Sequence, residues 1–484
     1  MSVLRRTKIV ITLGPAVDSP DMLSRVIAEG ADVFRANFSH GSNETHEQRI
    51  QLVRKIAAEQ RKEVAILVDL QGPKIRISRF KNKKVILQEG QIFILDTELA
   101  ITEGTEKTVG LDYKSLPRDV VPGDTLLLDD GRIVMKVDKI EKHKIYCTVI
   151  SGGELSDNKG INRLGGGLSA EALTEKDLKD IKEAARLNAD YVAVSFPRNA
   201  ADINYARTLL KAAGSNAGII AKIERTEAIT NIEEIIHASD AVMVARGDLG
   251  VELGDAELPA AQKYIIRMAR SCNKPVITAT QMLDSMTNNS IPTRAEVSDV
   301  ANAVLDGTDA VMLSQETAVG KYPDKAVAAL NRICLSAEKN PSATKTSRHR
   351  IQPHFNHVDE AIAVATMYTA NHLDIKAIIA LTESGTTPLL MSRVKSNIPI
   401  YGLSRHPATL HRMSLYRGVY PILFDATHID RRILNQAAIG ELQNQGIIKV
   451  GDLVILTKGD LIGVHGRTNA MKIVMVGSLP EIKL

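Results

Sequence analysis

Residues 218–248 read GIIAKIERTEAITNIEEIIHASDAVMVARGD. Two apolar, β-branched runs, 218–224 and 240–247, stand at the ends of this stretch, and a segment with helical spacing joins them. Apolar strands that alternate with amphipathic helices predict a parallel β-sheet covered by helices, because each strand is then buried on both faces. The stretch therefore indicates the α/β class.

The same kind of apolar run recurs eight times along the chain: at 7–13, 31–38, 63–70, 190–196, 218–224, 240–247, 275–281 and 309–316. Helix-start signals lie between the runs, such as the capping-box patterns TEKD at 174–177 and TRAE at 293–296. Eight strand and helix units favour a closed (β/α)8 barrel of the TIM type over an open sheet.

The alternation stops once, after the third run, where the helical period is lost. Short strand-like runs separated by turn residues follow, at 83–88, 91–96, 124–130, 132–137 and 144–150. We expect a hairpin around Asp130-Gly131. The domain bounds that we expect are 1–70 and 168–340 for the barrel, 71–167 for an inserted β-barrel lid domain, 341–357 for a polar linker and 358–484 for a C-terminal α/β domain.

The composition narrows the class of protein. The chain has 484 residues, with 61 Lys and Arg against 57 Asp and Glu, and it has no Trp. So small a charge excess, with aromatic residues at 4%, does not favour nucleic-acid binding. No run approaches the roughly 20 apolar residues of a membrane span. Cys147, Cys272 and Cys334 lie far apart and in no metal-binding spacing, so we expect reduced core cysteines in a cytoplasmic protein.

Polar residues that end the barrel strands are the candidates for chemistry, because β/α barrels carry their active sites at the carboxyl ends of the strands. Glu224 and Asp248 follow neighbouring runs, and two carboxylates that leave positions for water suit Mg²⁺. Each has a structural alternative, which is an ion pair with Arg225 for Glu224 and a turn for Asp248. Lys222 shares a side with Glu224, and a lysine inside an apolar strand is either paired or functional.

Further polar residues gather at other strand ends. They are Arg35, Asn37, Ser39 and His40 after the second run, Asp69, Lys74 and Arg76 after the third, and Thr280 at the seventh. Arg35 can grip a phosphate or a carboxylate with two hydrogen bonds, whereas His40 has the alternative of a helix-entry turn. An arginine, a lysine and a metal pair at one barrel mouth fit phosphoryl transfer, which needs positioning and charge neutralisation.

Long segments of the chain match a known family: 35–41 RANFSHG, 69–76 DLQGPKIR, 217–229 AGIIAKIERTEAI, 242–252 VMVARGDLGVE, 277–286 ITATQMLDSM and 292–323 PTRAEVSDVANAVLDGTDAVMLSQETAVGKYP. On these segments the chain resembles pyruvate kinase over nearly its whole length. The resemblance implies transfer of the phosphoryl group of phosphoenolpyruvate to ADP, giving pyruvate and ATP, and a regulatory C-terminal domain. Residues 156–177, SDNKGINRLGGGLSAEALTEKD, resemble the bacterial kind that AMP or sugar monophosphates activate.

The resemblance also implies roles for single residues at the barrel mouth. Arg35 would hold the substrate phosphate, Lys222 would stabilise the phosphoryl group during transfer, and Thr280 would lie near the methylene carbon. Glu224 and Asp248 would bind Mg²⁺ or Mn²⁺. The substrate-binding group implied is Arg35, Gly247, Asp248 and Thr280.

The nucleotide and a monovalent cation have implied sites too. The nucleotide-binding residues would be Asn37, His40, Arg76 and Lys159, beneath a hairpin that carries Asp129 and Asp130. Many members bind K⁺ through residues that match Asn37, Ser39, Asp69 and the carbonyl of Leu70. Lys74 replaces a glutamate that is common in K⁺-requiring members, and its ammonium can supply the positive charge near that pocket. We therefore expect a reduced or absent K⁺ requirement.

The C-terminal domain resembles the family's effector site. The implied effector-binding residues are Thr382, Ser384, Gly385, Thr386 and Thr387, with Arg467 from a later loop. Glu383 adds a negative charge there, so we expect a monophosphate such as AMP or ribose 5-phosphate rather than a bisphosphate. The alternative is a structural turn. The resemblance further implies a homotetramer.

Two other classes of protein stay open at this point. One is a metal-dependent lyase or aldolase of the phosphoenolpyruvate and pyruvate barrel group, which has no use for Arg76, Lys159 or a nucleotide lid. The other is a non-catalytic metabolite sensor, against which the presence of Lys222, Glu224 and Thr280 counts. A requirement for ADP separates the kinase from both.

Overall fold

The computed structural model of the chain describes residues 4–341, 355, 357–460 and 468–478. Most of the expected linker at 341–357 lies outside these residues. The strands form a closed eight-stranded barrel, two sheets in the insert and a five-stranded sheet near the C-terminus. Within the described ranges, no helix combines the length and the apolar character that crossing a membrane requires.

The first barrel segment alternates strands and helices. Its elements are β1 (Lys8–Thr12), a 3-10 turn (Pro15–Val17), α1 (Pro20–Ala28), β2 (Val33–Asn37), α2 (Asn43–Glu59) and β3 (Ala65–Asp69). Every residue of β1 and β3 is buried, as expected for strands covered on both faces. The side chains of Ser19 and Ser42 accept hydrogen bonds from amides in the first turns of α1 and α2, which determines where these helices begin.

The insert follows β3 and consists mainly of strands. Its elements are β4 (Lys84–Leu87), β5 (Ile92–Asp96), β6 (Thr108–Gly110), α3 (Leu116–Asp119), β7 (Thr125–Leu128), β8 (Ile133–Glu141), β9 (Lys144–Ser151), β10 (Gly153–Ser156) and β11 (Ile161–Arg163). They form a six-stranded sheet in the order β11-β7-β8-β9-β5-β6 and a two-stranded sheet of β10 and β4. The expected hairpin is confirmed, because β7 and β8 pair antiparallel. Asp129 and Asp130 in its turn have φ of 51° and 56°, the left-handed backbone that tight hairpin turns use.

The second barrel segment supplies the other five barrel strands. Its elements are α4 (Glu175–Arg186), β12 (Tyr191–Val194), α5 (Ala200–Ala212), β13 (Gly218–Ile223), α6 (Thr226–Thr230), α7 (Ile232–Ala238), β14 (Ala241–Ala245), α8 (Arg246–Leu253), α9 (Leu258–Ser271), β15 (Val276–Ala279), a 3-10 turn (Asp284–Thr287), α10 (Arg294–Asp306), β16 (Ala310–Leu313), α11 (Gln315–Ala318) and α12 (Pro323–Ala337). The parallel order β1-β16-β15-β14-β13-β12-β3-β2 closes the barrel, which confirms the predicted fold. Both expected capping boxes are present, at Thr174 with Asp177 and at Thr293 with Glu296.

The C-terminal domain is a five-stranded sheet with helices. Its elements are α13 (Val358–His372), β17 (Ile375–Leu381), α14 (Thr386–Ser392), β18 (Ile400–Ser404), α15 (Pro407–Met413), β19 (Val419–Leu423), α16 (Leu434–Asn444), β20 (Leu453–Gly459) and β21 (Thr468–Met475). The order is β19-β18-β17-β20-β21, and only β21 is antiparallel to its neighbour. The guanidinium of Arg393 bonds Asp309, which directly precedes β16, and both side chains are buried. The domain therefore packs against the amino ends of the barrel strands, opposite the barrel mouth.

Candidate active site

Strand β13 places Lys222 among acidic side chains at the barrel mouth. Its Nζ atom lies 3.2 Å from Oδ1 of Asp69 and 3.0 Å from Oε1 of Glu224, and it donates a hydrogen bond of 2.7 Å to the hydroxyl of Ser195. Burial would lower the pKa of Lys222, but the charges of Asp69 and Glu224 outweigh it and raise the pKa above its ordinary value. Lys222 is therefore an ammonium held in one position at neutral pH.

The adjacent strands β2 and β3 join Arg35 to Asp69. Arg35 Nε donates to Asp69 Oδ2 at 2.7 Å, and its Nη1 donates to Thr12 Oγ1 at 3.0 Å. Asp69 is 1% exposed. Its burial would raise its pKa, but the charges of Lys222 and Arg35 hold the pKa below its ordinary value. One buried carboxylate thus orients two cations toward the barrel mouth.

Glu224 and Asp248 follow neighbouring strands and form the expected carboxylate pair. Burial raises the pKa of Glu224 above its ordinary value; Lys222 opposes this shift, and the charge of Asp248 adds to it. Glu224 Oε2 accepts the amide of Phe196 at 2.9 Å. The pair offers oxygen ligands, and a divalent cation would relieve the repulsion between them, so these residues fit Mg²⁺ or Mn²⁺. The described residues contain no cluster of three or more His, Cys, Asp or Glu arranged to hold a metal.

Lys74 has a neighbour that the sequence did not indicate. We expected its ammonium to serve the cation pocket around Asp69, but Nζ donates a hydrogen bond of 2.9 Å to Oδ1 of Asp248. The side chains of Lys74 and Asp248 remain 28% and 19% exposed. The lysine therefore brings a positive charge directly to the carboxylate pair.

Thr280, at the end of β15, has a strained backbone. Its φ is 66° and that of Gln281 is 53°, a left-handed region that β-branched residues rarely adopt. The Thr280 hydroxyl donates to the carbonyl of Ala279 at 2.6 Å and accepts the amide of Gly247 at 2.9 Å. Such strain persists where the surrounding structure enforces it, and it concentrates at functional sites. A carboxylate that binds the Gly247 amide would have to replace this hydrogen bond.

Ser195 is a residue of the site that sequence reasoning did not single out. Its hydroxyl accepts the hydrogen bond from Lys222 and donates one of 2.7 Å to the carbonyl of Leu70, an expected K⁺ ligand. Ser195 directly follows β12, so the same strand-end rule that indicated Glu224 would have found it. Serine is common at strand ends for structural reasons, so a serine at this position did not by itself indicate a functional residue.

The loop after β2 holds Asn37, Ser39 and His40. Asn37 Oδ1 accepts the amide of Ser39 at 3.2 Å, and the Asn37 carbonyl accepts the amide of His40 at 3.2 Å. The carbonyl of His40 is bonded to the ring of His46 in α2 at 2.8 Å, while the His40 residue is exposed. His40 thus lies in the turn that enters α2, and its role toward a nucleotide stays a prediction.

The insert brings Arg76 and Lys159 to one edge. The amide of Ile77 donates to the carbonyl of Lys159 at 2.9 Å, and Arg76 Nη1 donates to the carbonyl of Asn158 at 2.9 Å. The Lys159 ammonium lies 2.7 Å from Oδ1 of Asp129 in the β7–β8 hairpin. Two basic side chains therefore stand together beside the expected lid hairpin.

The loop between β17 and α14 carries the expected effector residues. Thr382 Oγ1 accepts the amide of Gly385 at 2.9 Å, the hydroxyls of Ser384 and Thr386 are 2.8 Å apart, and Thr387 is buried. The loop is thus a compact turn with two exposed hydroxyls. Arg467, expected as a further effector residue, lies outside the described residues.

The negative charge expected at Glu383 is compensated. Its Oε2 atom is 2.6 Å from Nε2 of His406 and accepts a hydrogen bond of 3.3 Å from Nε of Arg405. These partners come from the segment between β18 and α15, which no local pattern around Glu383 could indicate. The argument against a bisphosphate therefore loses its electrostatic part.

These features define a barrel enzyme built for an anionic substrate, with cations oriented by buried carboxylates and a β domain inserted after the third barrel strand. Two family models match the chain: the pyruvate kinase barrel domain over residues 4–327 and the pyruvate kinase alpha/beta domain over residues 360–474.

Full-length relatives agree with the family models. The chain is 57% identical to "Pyruvate kinase II" of Salmonella typhimurium over 477 residues, which are 98% of this chain and 99% of the relative. It is 55% identical to "Pyruvate kinase" of Haemophilus influenzae over 94% of this chain and 96% of the relative. For "Pyruvate kinase" of Sporosarcina psychrophila the identity is 42%, over 98% and 81%. The chain belongs to the pyruvate kinase family, and it is a phosphotransferase that forms pyruvate and ATP from phosphoenolpyruvate and ADP. The lyase and the sensor, which the sequence left open, are not favoured.

Proposed function

We propose that Lys222 stabilises the phosphoryl group while this chain transfers it from phosphoenolpyruvate to ADP, giving pyruvate and ATP. The observation that carries the proposal is the buried ammonium of Lys222, held 3.2 Å from Asp69 and 3.0 Å from Glu224. A fixed positive charge in a buried site stabilises the negative charge on a phosphoryl group in transfer without having to reorganise.

The substrate phosphate would lie between Arg35 and Lys222. Both cations are held by Asp69, so they are in position before substrate binds. During transfer, the bond from the enol oxygen to phosphorus breaks, and a bond forms from phosphorus to a terminal oxygen of ADP. Lys222 then neutralises charge on the equatorial oxygens of the phosphoryl group, and Arg35 keeps the phosphorus in line.

Glu224 and Asp248 would hold Mg²⁺ or Mn²⁺, which when bound supplies positive charge to the oxygens of the substrate. The ammonium of Lys74 donates a hydrogen bond to Asp248 and neutralises part of its negative charge. The amides of Gly247 and Asp248, in the first turn of α8, would receive the substrate carboxylate. This requires the Thr280 hydroxyl to release the Gly247 amide.

Transfer leaves enolpyruvate, which becomes pyruvate when a proton is added to its methylene carbon. We place that carbon beside Thr280, whose strained backbone holds the hydroxyl toward α8.

For the nucleotide we propose Arg76 and Lys159 as partners of its phosphates, with Asn37 and His40 as further contacts. The hairpin that carries Asp129 would close over it as a lid.

We also propose that the enzyme has little or no requirement for K⁺. The expected K⁺ ligands already have partners, since Asp69 is bonded to Arg35 and Lys222, and the Leu70 carbonyl accepts the Ser195 hydroxyl. Lys74 adds a positive charge at Asp248 rather than at these ligands. The cations of Arg35 and Lys222 at Asp69, together with Lys74, would supply the charge that K⁺ supplies elsewhere.

Regulation and assembly complete the proposal. We propose a homotetramer and a monophosphate effector, such as AMP or ribose 5-phosphate, at the hydroxyls of Ser384 and Thr386. The choice of a monophosphate now depends on the resemblance of residues 156–177 to the kind that AMP or sugar monophosphates activate. The edge strand β21 leaves Ile473 and Met475 exposed by 42% and 53%, which supports an apolar contact between subunits.

The cysteines Cys147, Cys272 and Cys334 form no disulfide, which supports a location in the reducing cytoplasm.

The test of the proposed reaction is pyruvate formation from phosphoenolpyruvate and Mg²⁺, measured with and without ADP. Pyruvate that appears only with ADP, with an equal amount of ATP, is the expected result. Pyruvate formed at the same rate without ADP would contradict transfer to the nucleotide, and no pyruvate under either condition would favour the lyase or the sensor.

A further inference from the structure

A cavity of about 500 Å³ lies between the barrel and the C-terminal domain, at the amino ends of the barrel strands. Its lining residues in the barrel belong to the end of α2 and the turn that follows, and those in the C-terminal domain are His411, Pro421, Ile422, Leu423 and Gln445. A cavity of this size is typical of small-molecule sites. It shares no lining residue with the barrel mouth or with the effector loop.

Basic side chains dominate the barrel wall of this cavity. They are Arg54, Arg61 and Lys62, and neither Arg61 nor Lys62 forms an ion pair within the described part of the chain. Arg54 Nη2 donates to a backbone carbonyl at 2.6 Å, but its Nε atom is buried without a hydrogen-bond partner. The single acid of the lining, Glu63, is already engaged at 3.5 Å by His411. The cavity therefore carries an uncompensated positive charge.

The backbone at Arg61 is a second, independent observation. Its φ is 53°, and the amides of Arg61 and Lys62 donate to the carbonyls of Ala58 and Ala57 at 3.0 and 2.9 Å. This is the Schellman end of α2, in which the left-handed residue is usually glycine. An arginine in this conformation costs backbone free energy that a glycine would not. We therefore infer that the arginine side chain has a role besides ending the helix.

A simpler explanation of these cations is stabilisation of the helix dipole, since Lys and Arg are favoured at helix C-termini. That role does not require a strained backbone at Arg61. It also does not explain why these cations line one cavity together with Ile422 and Leu423. Three cations that line one cavity instead match a ligand head group with two negative charges.

We propose that this cavity binds a compact organic dianion, either a phosphate monoester or a dicarboxylate. Its charged end would lie against Arg54, Arg61 and Lys62, and its carbon body would lie against Ile422 and Leu423 from the end of β19. Because the two walls belong to different domains, the ligand stabilises the arrangement of the barrel and the C-terminal domain in which the cavity is formed. This site lies beyond the proposed reaction and does not depend on it.

The proposal is tested by calorimetric titration of the full chain with glycerol 3-phosphate and, separately, with succinate, in a buffer free of both groups. We expect saturable binding of at least one probe, and the probe that binds more tightly identifies the class of dianion. The double variant Arg61→Gly with Lys62→Gln should weaken that binding by about tenfold or more, since hydrogen bonds to charged groups are lost. Glycine prefers the backbone conformation of Arg61, so α2 should keep its end.

Two matched controls make the result specific. Lys55→Gln removes a charge from the exposed face of α2 outside the cavity, and Ser384→Ala removes a hydroxyl from the effector loop. Both should leave the affinity within about twofold of the wild type. The proposal is overturned if neither probe binds saturably, if the double variant binds as tightly as the wild type, or if Ser384→Ala alone abolishes binding.

Discussion

The Nζ atom of Lys222 lies 3.0 Å from Oε1 of Glu224, two residues farther along the same strand end. Alternate residues of a strand face the same side, so both side chains reach the barrel mouth together. Glu224 therefore holds the ammonium that we assign to the phosphoryl group, and it is also one of the two carboxylates that fit a divalent cation. The positive charges of Lys222 and Arg35 are thus paired with the carboxylates of Asp69 and Glu224 before any substrate binds.

The role of Lys74 predicts how the enzyme responds to K⁺. Wild-type protein should form pyruvate in a K⁺-free buffer at a rate close to that with K⁺, because Lys74 brings its own cation to Asp248. Lys74→Glu reverses this charge, so its activity should depend on K⁺ and fall by about tenfold or more without it. Rates are measured with tetramethylammonium replacing K⁺ at constant ionic strength. A strict K⁺ requirement in the wild type would refute this role.

The strained Thr280 predicts a trade between stability and activity. Thr280→Gly relieves a φ of 66°, and the free energy of unfolding should rise by about 1 kcal/mol or stay unchanged. The rate of pyruvate formation should fall by about tenfold or more, because the hydroxyl that we place beside the methylene carbon is lost. Denaturant unfolding and the coupled assay measure the two effects. A variant with wild-type activity would show that the hydroxyl has no catalytic task.

The buried pair of Arg393 and Asp309 predicts a large loss of stability. Asp309→Asn removes the buried carboxylate that accepts hydrogen bonds from Arg393 between the two domains, so the free energy of unfolding should fall by about 3–5 kcal/mol. Asp21→Asn, which removes the exposed partner of Arg25, is the matched control and should cost far less. Equal losses for the two variants would contradict the importance of burial.

His411 predicts a pH-dependent contribution to stability. Burial would lower its pKa, but the hydrogen bond of 3.0 Å to Asp190 and the charges of Asp190 and Glu63 outweigh burial and raise the pKa. The stabilisation is therefore fully present below the unfolded pKa of about 6.5, and it is lost as the pH rises through the higher folded pKa. The difference in unfolding free energy between wild type and His411→Gln should shrink between pH 6 and pH 9. A difference that stays constant or grows with pH would argue against the charged imidazole.

The barrel was predictable because its signal is local. A strand buried on both faces needs a mainly apolar run, and the barrel strands are such runs, including the fully buried β1 and β3. The polar residues that interrupt β2 and β13 are Arg35, Asn37 and Lys222, which face the barrel mouth. The grouping of Lys222 with Glu224 followed from the period of two along a strand, and that of Glu224 with Asp248 followed from neighbouring strand ends.

The contacts that sequence reasoning missed join residues that are distant in the chain. Lys74 and Asp248 are 174 positions apart, and Lys222 and Ser195 are 27 positions apart. The compensation of Glu383 by His406 likewise crosses from one strand end to the next. Side-chain pairing of this kind depends on rotamers and on the closure of the fold, which leave no periodic trace in the sequence.

The most direct test of the account is the rate of ADP-dependent pyruvate formation by Lys222→Met, measured together with its dissociation constant for phosphoenolpyruvate. We predict a fall in rate of about 10³-fold or more, with the dissociation constant within about tenfold of the wild type, because Arg35 and the carboxylate pair remain. Lys179→Met, on the exposed face of α4, is the matched control and should keep the wild-type rate. A Lys222→Met enzyme that retains most of its rate would contradict the account.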